Sequence, residues 1–140
     1  MSDRGHRTVA HTADVILEAW GPDQDTCCAE AVAALADVYL DAVAPDATTE
    51  SLAVTVEAAT PEERLVALLE EIIFVLDTSP LVPIEATVRT VDGELTADVA
   101  LTDPAAVEPA GAVPKAVSRS GLALAHDPDG TVRCSVLIDV

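Results

Sequence analysis

The hydrophobic positions of the chain switch between two periods. Residues 14–20 (DVILEAW) alternate as a strand does, with Val15, Leu17 and Ala19 on one face and Asp14, Ile16, Glu18 and Trp20 on the other. Gly21-Pro22 ends the run. From about residue 24 to residue 41 the apolar spacing becomes three and four. Cys28, Ala31, Val32, Leu35, Val38 and Tyr39 there predict a helix, with Asp23 as its N-cap. Residues 51–58 alternate again, placing Leu52, Val54 and Val56 on one side. The second helix has the clearest start signal in the sequence. Thr60 caps it, Pro61 fits the first helical position, and Glu63 completes a capping box with Thr60. Leu65, Leu68, Leu69, Ile72, Ile73 and Leu76 then form one apolar stripe suited to packing on a sheet.

Two hairpins follow. Residues 82–91 and 94–101 flank Asp92-Gly93, a pair suited to a type I′ turn. Residues 122–126 and 131–140 flank the turn-forming run Asp127-Pro128-Asp129-Gly130. Between the hairpins, residues 102–112 are rich in Pro, Ala and Gly and are expected to form a mobile loop. Strands and helices interleave without regular βαβ alternation. The expected class is therefore α+β, a mainly antiparallel sheet packed with two helices, in a single domain over residues 1–140.

Composition narrows the function. The chain has 140 residues, half of them hydrophobic, and a domain of that size buries roughly 70% of its unfolded surface. Its 25 acidic residues against 7 basic ones give a net charge of −18, and Lys115 is the only lysine. High-affinity nucleic-acid binding needs Lys and Arg to neutralise phosphates, so direct binding is not expected. Docking on an anionic membrane is disfavoured for the same reason. No run of 18 apolar residues occurs and residues 1–10 do not resemble a signal peptide, which points to the cytoplasm. Cys27, Cys28 and Cys134 lack zinc-site spacing and read as reduced, small buried residues.

Motifs for chemistry are few. There is no Gly-rich phosphate loop, no GxSxG elbow and no HExxH pair. Two carboxylates stand out instead. Asp14 opens an otherwise apolar strand, and Asp139 follows Val136-Leu137-Ile138 on the face opposite Val132, Cys134, Val136 and Ile138. Either both reach solvent at a sheet margin, or these two strands lie side by side and the carboxylates share a hard cation.

The same residues carry a family likeness. His11-Thr12-Ala13-Asp14-Val15, leading through Ile16 to Trp20-Gly21, resembles the opening motif of the archease family. The resemblance continues through the helix after Gly21, through Leu65-Val66-Ala67-Leu68-Leu69-Glu70-Glu71, to Lys115-Ala116-Val117 and the closing Asp139-Val140. It implies a protein cofactor of an RtcB-type RNA-splicing ligase, which promotes guanylylation by GTP and multiple turnover in tRNA splicing and RNA repair. The chain would activate that ligase rather than catalyse a reaction itself. The resemblance also implies a metal site made by Asp14, Asp139 and the backbone of Val140, whose terminal carboxylate would add a further anionic oxygen. Oxygen-only ligation favours Ca2+, with Mg2+ or Mn2+ as alternatives. The chain departs from the family pattern at Ser118, Arg119 and Ser120, where Thr-Tyr-His is usual, and at Thr60, where an acidic residue is common. These changes leave the aspartate pair intact and remove any role for a histidine after Val117. Lys115 is expected as a surface residue or a partner contact, His11 as a structural residue orienting Asp14, and Trp20 as a core or half-buried aromatic. The competing readings are an independent metal-dependent hydrolase, which needs a general base and a cleft, and an acidic protein-binding module without a functional metal.

Overall fold

Eight residues of strand-like alternation near each end of the chain, 14–21 and 132–139, need a partner to bury their apolar face, and they pair with each other. In the computed structural model, which describes residues 3–11 and 13–140, β1 (Gly5–His11) and β2 (Asp14–Gly21) form a hairpin. β9 (Val132–Asp139) lies beside β2, and β8 (Ala116–His126) closes the sheet in the order β1-β2-β9-β8. All its pairings are antiparallel. The inward row of β9 is Val132, Cys134, Val136 and Ile138, all buried, as the alternation requires.

A second antiparallel sheet has the order β4-β6-β5, built from β4 (Thr49–Glu57), β5 (Val82–Val91) and β6 (Glu94–Thr102). Asp92 and Gly93 join β5 to β6 with φ of 51° and 79°, the left-handed pair that a type I′ turn demands. A two-stranded pair, β3 (Leu40–Val43) with β7 (Val107–Pro109), completes the sheets.

The helices pack against strands of both larger sheets. α1 (Gln24–Tyr39) contacts β1, β2 and β9 on one side and β5 on the other. It is consequently buried nearly all round, with small residues such as Ala31 and Ala34 letting both sheets approach. Its N-cap is Asp23, which accepts from the Thr26 N–H at 2.7 Å. At its other end the buried Tyr39 hydroxyl donates to the Pro83 carbonyl, so the one polar atom of that side chain is satisfied. α2 (Pro61–Thr78) contacts β8 on one sheet and β4 and β5 on the other. Thr60 caps it by accepting from the Glu63 N–H at 3.2 Å. Leu65, Leu68, Leu69 and Ile72 are fully buried, while Ile73 and Leu76 pack against the core's edge. The result is one core cluster drawing on both helices and both sheets. The α+β class with two helices and mainly antiparallel sheets holds.

Four expectations change. β1 forms from the polar stretch before Asp14, with no inward run of large apolar residues to announce it. Residues 102–112 are not simply a loop: a 3-10 turn, Pro104–Ala106, leads into β7. α1 stops at Tyr39 because Leu40 turns extended to begin β3. β8 starts at Ala116 rather than at residue 122, and its register with β9 shifts between Ser118 and Ala123, around Gly121 with φ of 74°.

β1 is tied down on both faces. Outside, Trp20 lies over Gly5: a Cβ there would stand 2.6 Å from the indole Cζ2, so only glycine fits beneath the ring. Beside them Arg7 donates to both oxygens of Glu18, at 3.1 and 3.0 Å. Inside, the buried Glu30 of α1 accepts from Arg4 and contacts the His6 Nδ1 at 2.7 Å, while the His6 Nε2 is 3.0 Å from Asp37. Burial opposes ionisation of Glu30, but the hydrogen bonds from His6 and Arg4 outweigh it and hold the carboxyl below its ordinary 4.5. A depressed carboxyl stabilises the fold above its unfolded value and loses that contribution as the pH falls through its folded value. Wild type should therefore lose melting temperature below pH 4.5 more steeply than Glu30→Gln does. Parallel acid limbs for the two proteins would refute this account of the strand's attachment.

Candidate metal centre

Asp14 begins β2 and Asp139 ends β9, and the antiparallel register sets each directly opposite the other. Both stand on the face away from the core, because Val15, Leu17 and Ala19 on β2 and Val136 and Ile138 on β9 occupy the inward positions. Opposed residues on antiparallel strands place their Cβ atoms about 4.5–5.5 Å apart on one face. Two carboxylates so placed can both reach one hard cation, which takes oxygens at about 2.3–2.6 Å. Without a cation, like charges directly opposite destabilise the pairing.

The main chain around the pair is fixed from both sides. The Val140 N–H donates to the Ala13 carbonyl at 3.5 Å, and the Lys115 N–H donates to the Asp139 carbonyl at 2.8 Å. Val140 is half-buried beside the start of β2. Across the four strands the register reads His11, Asp14, Asp139, Ala116. The His11 side chain, its expected role in orienting Asp14, and Thr12 lie outside the described residues. Among the described residues, no group of three or more His, Cys, Asp or Glu side chains converges as a metal cage. The donors at this position are two carboxylates and nearby main-chain oxygens, an all-oxygen set that fits Ca2+, Mg2+ or Mn2+ with water filling the shell.

The cysteines lie elsewhere in the core. All three are free and buried. The Cys27 thiol donates to the Ala19 carbonyl at 3.5 Å, and Ala19 is the cross-strand partner of Cys134. Burial pushes the Cys28 thiol up to about 12. The hydrogen bond with Cys27, together with burial, pushes Cys134 up as well, while the same bond lowers Cys27. Enclosed thiols of this kind are packing residues rather than nucleophiles or zinc ligands.

The replaced motif residues have a visible use. Arg119 reaches from β8 to α2, donating to both oxygens of Glu63 at 3.3 Å and lying 3.6 Å from Glu70. It straps the strand that flanks Asp139 to the helix beneath it. Lys115, next to Ala116 in the Asp139 row, lines a cleft against α2 with Phe74 and Val113. That cleft was not legible from periodicity. Its one sequence signal is that Phe74 falls off the apolar stripe of its own helix.

A family model described as the Archease protein family matches residues 6–140. A probable protein archease of Mycobacterium tuberculosis is 40% identical over 136 residues, covering 97% of this chain and 75% of that protein. Two solved structures share the fold. A solution structure of protein 1598 of Methanobacterium thermoautotrophicum superposes with a TM-score of 0.66 at 22% identity, over 97% of this chain and 99% of that one. A crystal structure from Thermotoga maritima, described as an archease and possible chaperone, gives a TM-score of 0.65 at 19% identity over 94% of each chain.

Proposed function

The chain belongs to the archease family, and from that premise we propose that it is a protein cofactor of an RtcB-type RNA ligase, raising guanylylation of the ligase by GTP and sustaining its repeated turnover in tRNA splicing and RNA repair. The observation that carries this reading is the direct pairing of Asp14 with Asp139 on the outer face of the sheet. The two carboxylates stand directly opposed at the end of the sheet, a placement that suits a shared divalent cation, Ca2+ in the first place. When bound, the cation supplies concentrated positive charge at the edge of an acidic protein. Asp14 and Asp139 hold it, and the main chain of Val140, fixed by its bond to Ala13, completes the cradle.

The ligase carries the phosphoryl chemistry in this scheme, and the chain acts by contact. Its net charge of −18 turns away RNA while favouring encounter with a basic protein surface. The description of the Thermotoga protein as a possible chaperone agrees in the general sense of action on another protein. Among the described residues no helix is long and apolar enough to cross a membrane. Action on a tRNA-splicing ligase would put the protein in the cytoplasm with it.

Reconstitution tests the reading. The RtcB-type ligase of the same organism should be incubated with GTP, a divalent cation and a pair of RNA fragments whose ends it can join, with and without this protein. Addition is expected to increase ligase–GMP formation and to convert a single round of joining into many. Equal guanylylation and equal turnover with and without it would reject the proposal.

A further inference from the structure

α2 has a second face besides its buried stripe. Glu70, Ile73, Phe74 and Asp77 follow one another at the spacing of a single helix face, and Phe74 is 59% exposed. Opposite it, the segment leading into β8 presents Val113, 64% exposed, and Lys115. Between helix and segment lies an open cleft of about 550 Å3. Beyond Leu76 and Val113 the apolar surface continues into a hollow of about 420 Å3 over Val82, Val107 and Pro109. Cleft and hollow adjoin at those two residues and together make up a trough.

We propose that this trough is the docking surface for a protein partner that seats an apolar side chain between Phe74 and Val113, with arginine or lysine beside it. Three observations point to that occupant. The cleft carries the only phenylalanine of the sequence, exposed with Val113, and exposed apolar side chains grouped together mark interaction sites where scattered single residues do not. Its rim is charged: Glu70 and Asp77 bracket Phe74 along the helix, with Lys115 across the cleft and Arg119 3.6 Å from Glu70, so Asp77 is the carboxylate that faces an incoming basic side chain. An apolar centre with a charged rim is the anatomy of a protein interface, and this rim complements basic side chains. Nucleic acid offers phosphates where cations are wanted, and a second copy of the chain brings the same negative charge. The third observation is position. Lys115 lines the trough and its N–H bonds the Asp139 carbonyl, so the trough lies at the same end of the sheet as Asp14 and Asp139. Resting on the function proposed above, the inference names the partner as the RtcB-type ligase and the trough as its anchoring contact, distinct from the carboxylate pair that acts once the ligase is seated.

Binding to the ligase, measured by titration, should be compared for wild type, Phe74→Glu, Val113→Glu and Asp139→Ala, with folding checked by circular dichroism. The two trough variants change exposed side chains on different segments, so one reports if the other misfolds. Each is expected to weaken binding at least roughly 30-fold, the loss seen at a central aromatic anchor, while Ca2+ binding measured by calorimetry stays as in wild type. Asp139→Ala is expected to lose Ca2+ binding and keep most of its affinity for the ligase. Folded trough variants that bind the ligase as wild type does would overturn the inference and leave the function intact. Wild type that neither binds nor stimulates the ligase would overturn both. A wild-type dimer that Phe74→Glu splits into monomers would show a second copy in the trough, and the inference would again be wrong.

Discussion

Asp139→Ala should abolish stimulation of the ligase without unfolding the protein. Asp139 is exposed at the end of β9, and its removal leaves the inward row of Val132, Cys134, Val136 and Ile138 untouched. In metal-free buffer the variant should be at least as stable as wild type, because the substitution relieves a like-charge pair facing Asp14. Added Ca2+ should reverse the order. A ligand bound only by the folded state stabilises by about 2.7 kcal/mol at a hundredfold excess over its Kd, and that gain is available to wild type. Loss of a group that merely supports a metal ligand costs about 10- to 100-fold in affinity, and loss of one of two carboxylate ligands should cost no less. Melting curves with and without Ca2+, alongside multiple-turnover ligation, separate these effects. A folded Asp139→Ala protein that still supports full turnover would remove the metal pair from the mechanism.

Leu35→Ala should have the largest effect on stability. Leu35 is fully buried on α1, and that helix is gripped by β2 on one side and β5 on the other. Each sheet is held by its own hydrogen-bond ladder, so neither can move in to fill the space. Leucine-to-alanine changes in such settings cost about 2.7–5 kcal/mol, a large part of the about 5–15 kcal/mol that a domain has. An exposed position such as Val9, where 39% of the residue is in solvent, should lose no more than about 0.5 kcal/mol on the same substitution. Urea unfolding measures both. A loss below about 1 kcal/mol at Leu35 would mean that the layers are looser than they look.

What could be read from the sequence is what depends on local chemistry. The start of α2 followed from Thr60, Pro61 and Glu63, and the β5–β6 turn from Asp92-Gly93. The inward faces of β2 and β9 followed from alternation, which also sent Asp14 and Asp139 outward. That those two strands are neighbours did not follow from alternation, since a strand's pattern says which face is buried and not which strand lies beside it. β1 was missed because an edge strand, held by Arg4, His6 and Arg7 rather than by apolar side chains, has no pattern to show. β3 and β7 were missed because each exists only by pairing with the other. The break in β8 hid its first half, since Ser118, Arg119 and Ser120 look like loop until Arg119 is seen gripping α2. The trough beside Phe74 is assembled from a helix and a distant segment, and no local pattern announces such a surface.

The place of β9 in its sheet also orders events in time. β9 is the last strand of the sequence yet lies in the interior of the sheet, between β2 and β8. A chain emerging from the ribosome can form the β1–β2 hairpin early, and the β4-β6-β5 sheet soon after, but β2 and β8 wait with unpaired edges until residues 132–139 arrive. Joining β2 to β9 closes almost the whole length of the chain, the kind of non-local contact that slows folding. The same closing strand brings Asp139 to Asp14. A nascent or truncated chain thus lacks the Asp14–Asp139 pair, and the two carboxylates meet in the same step that seals the core.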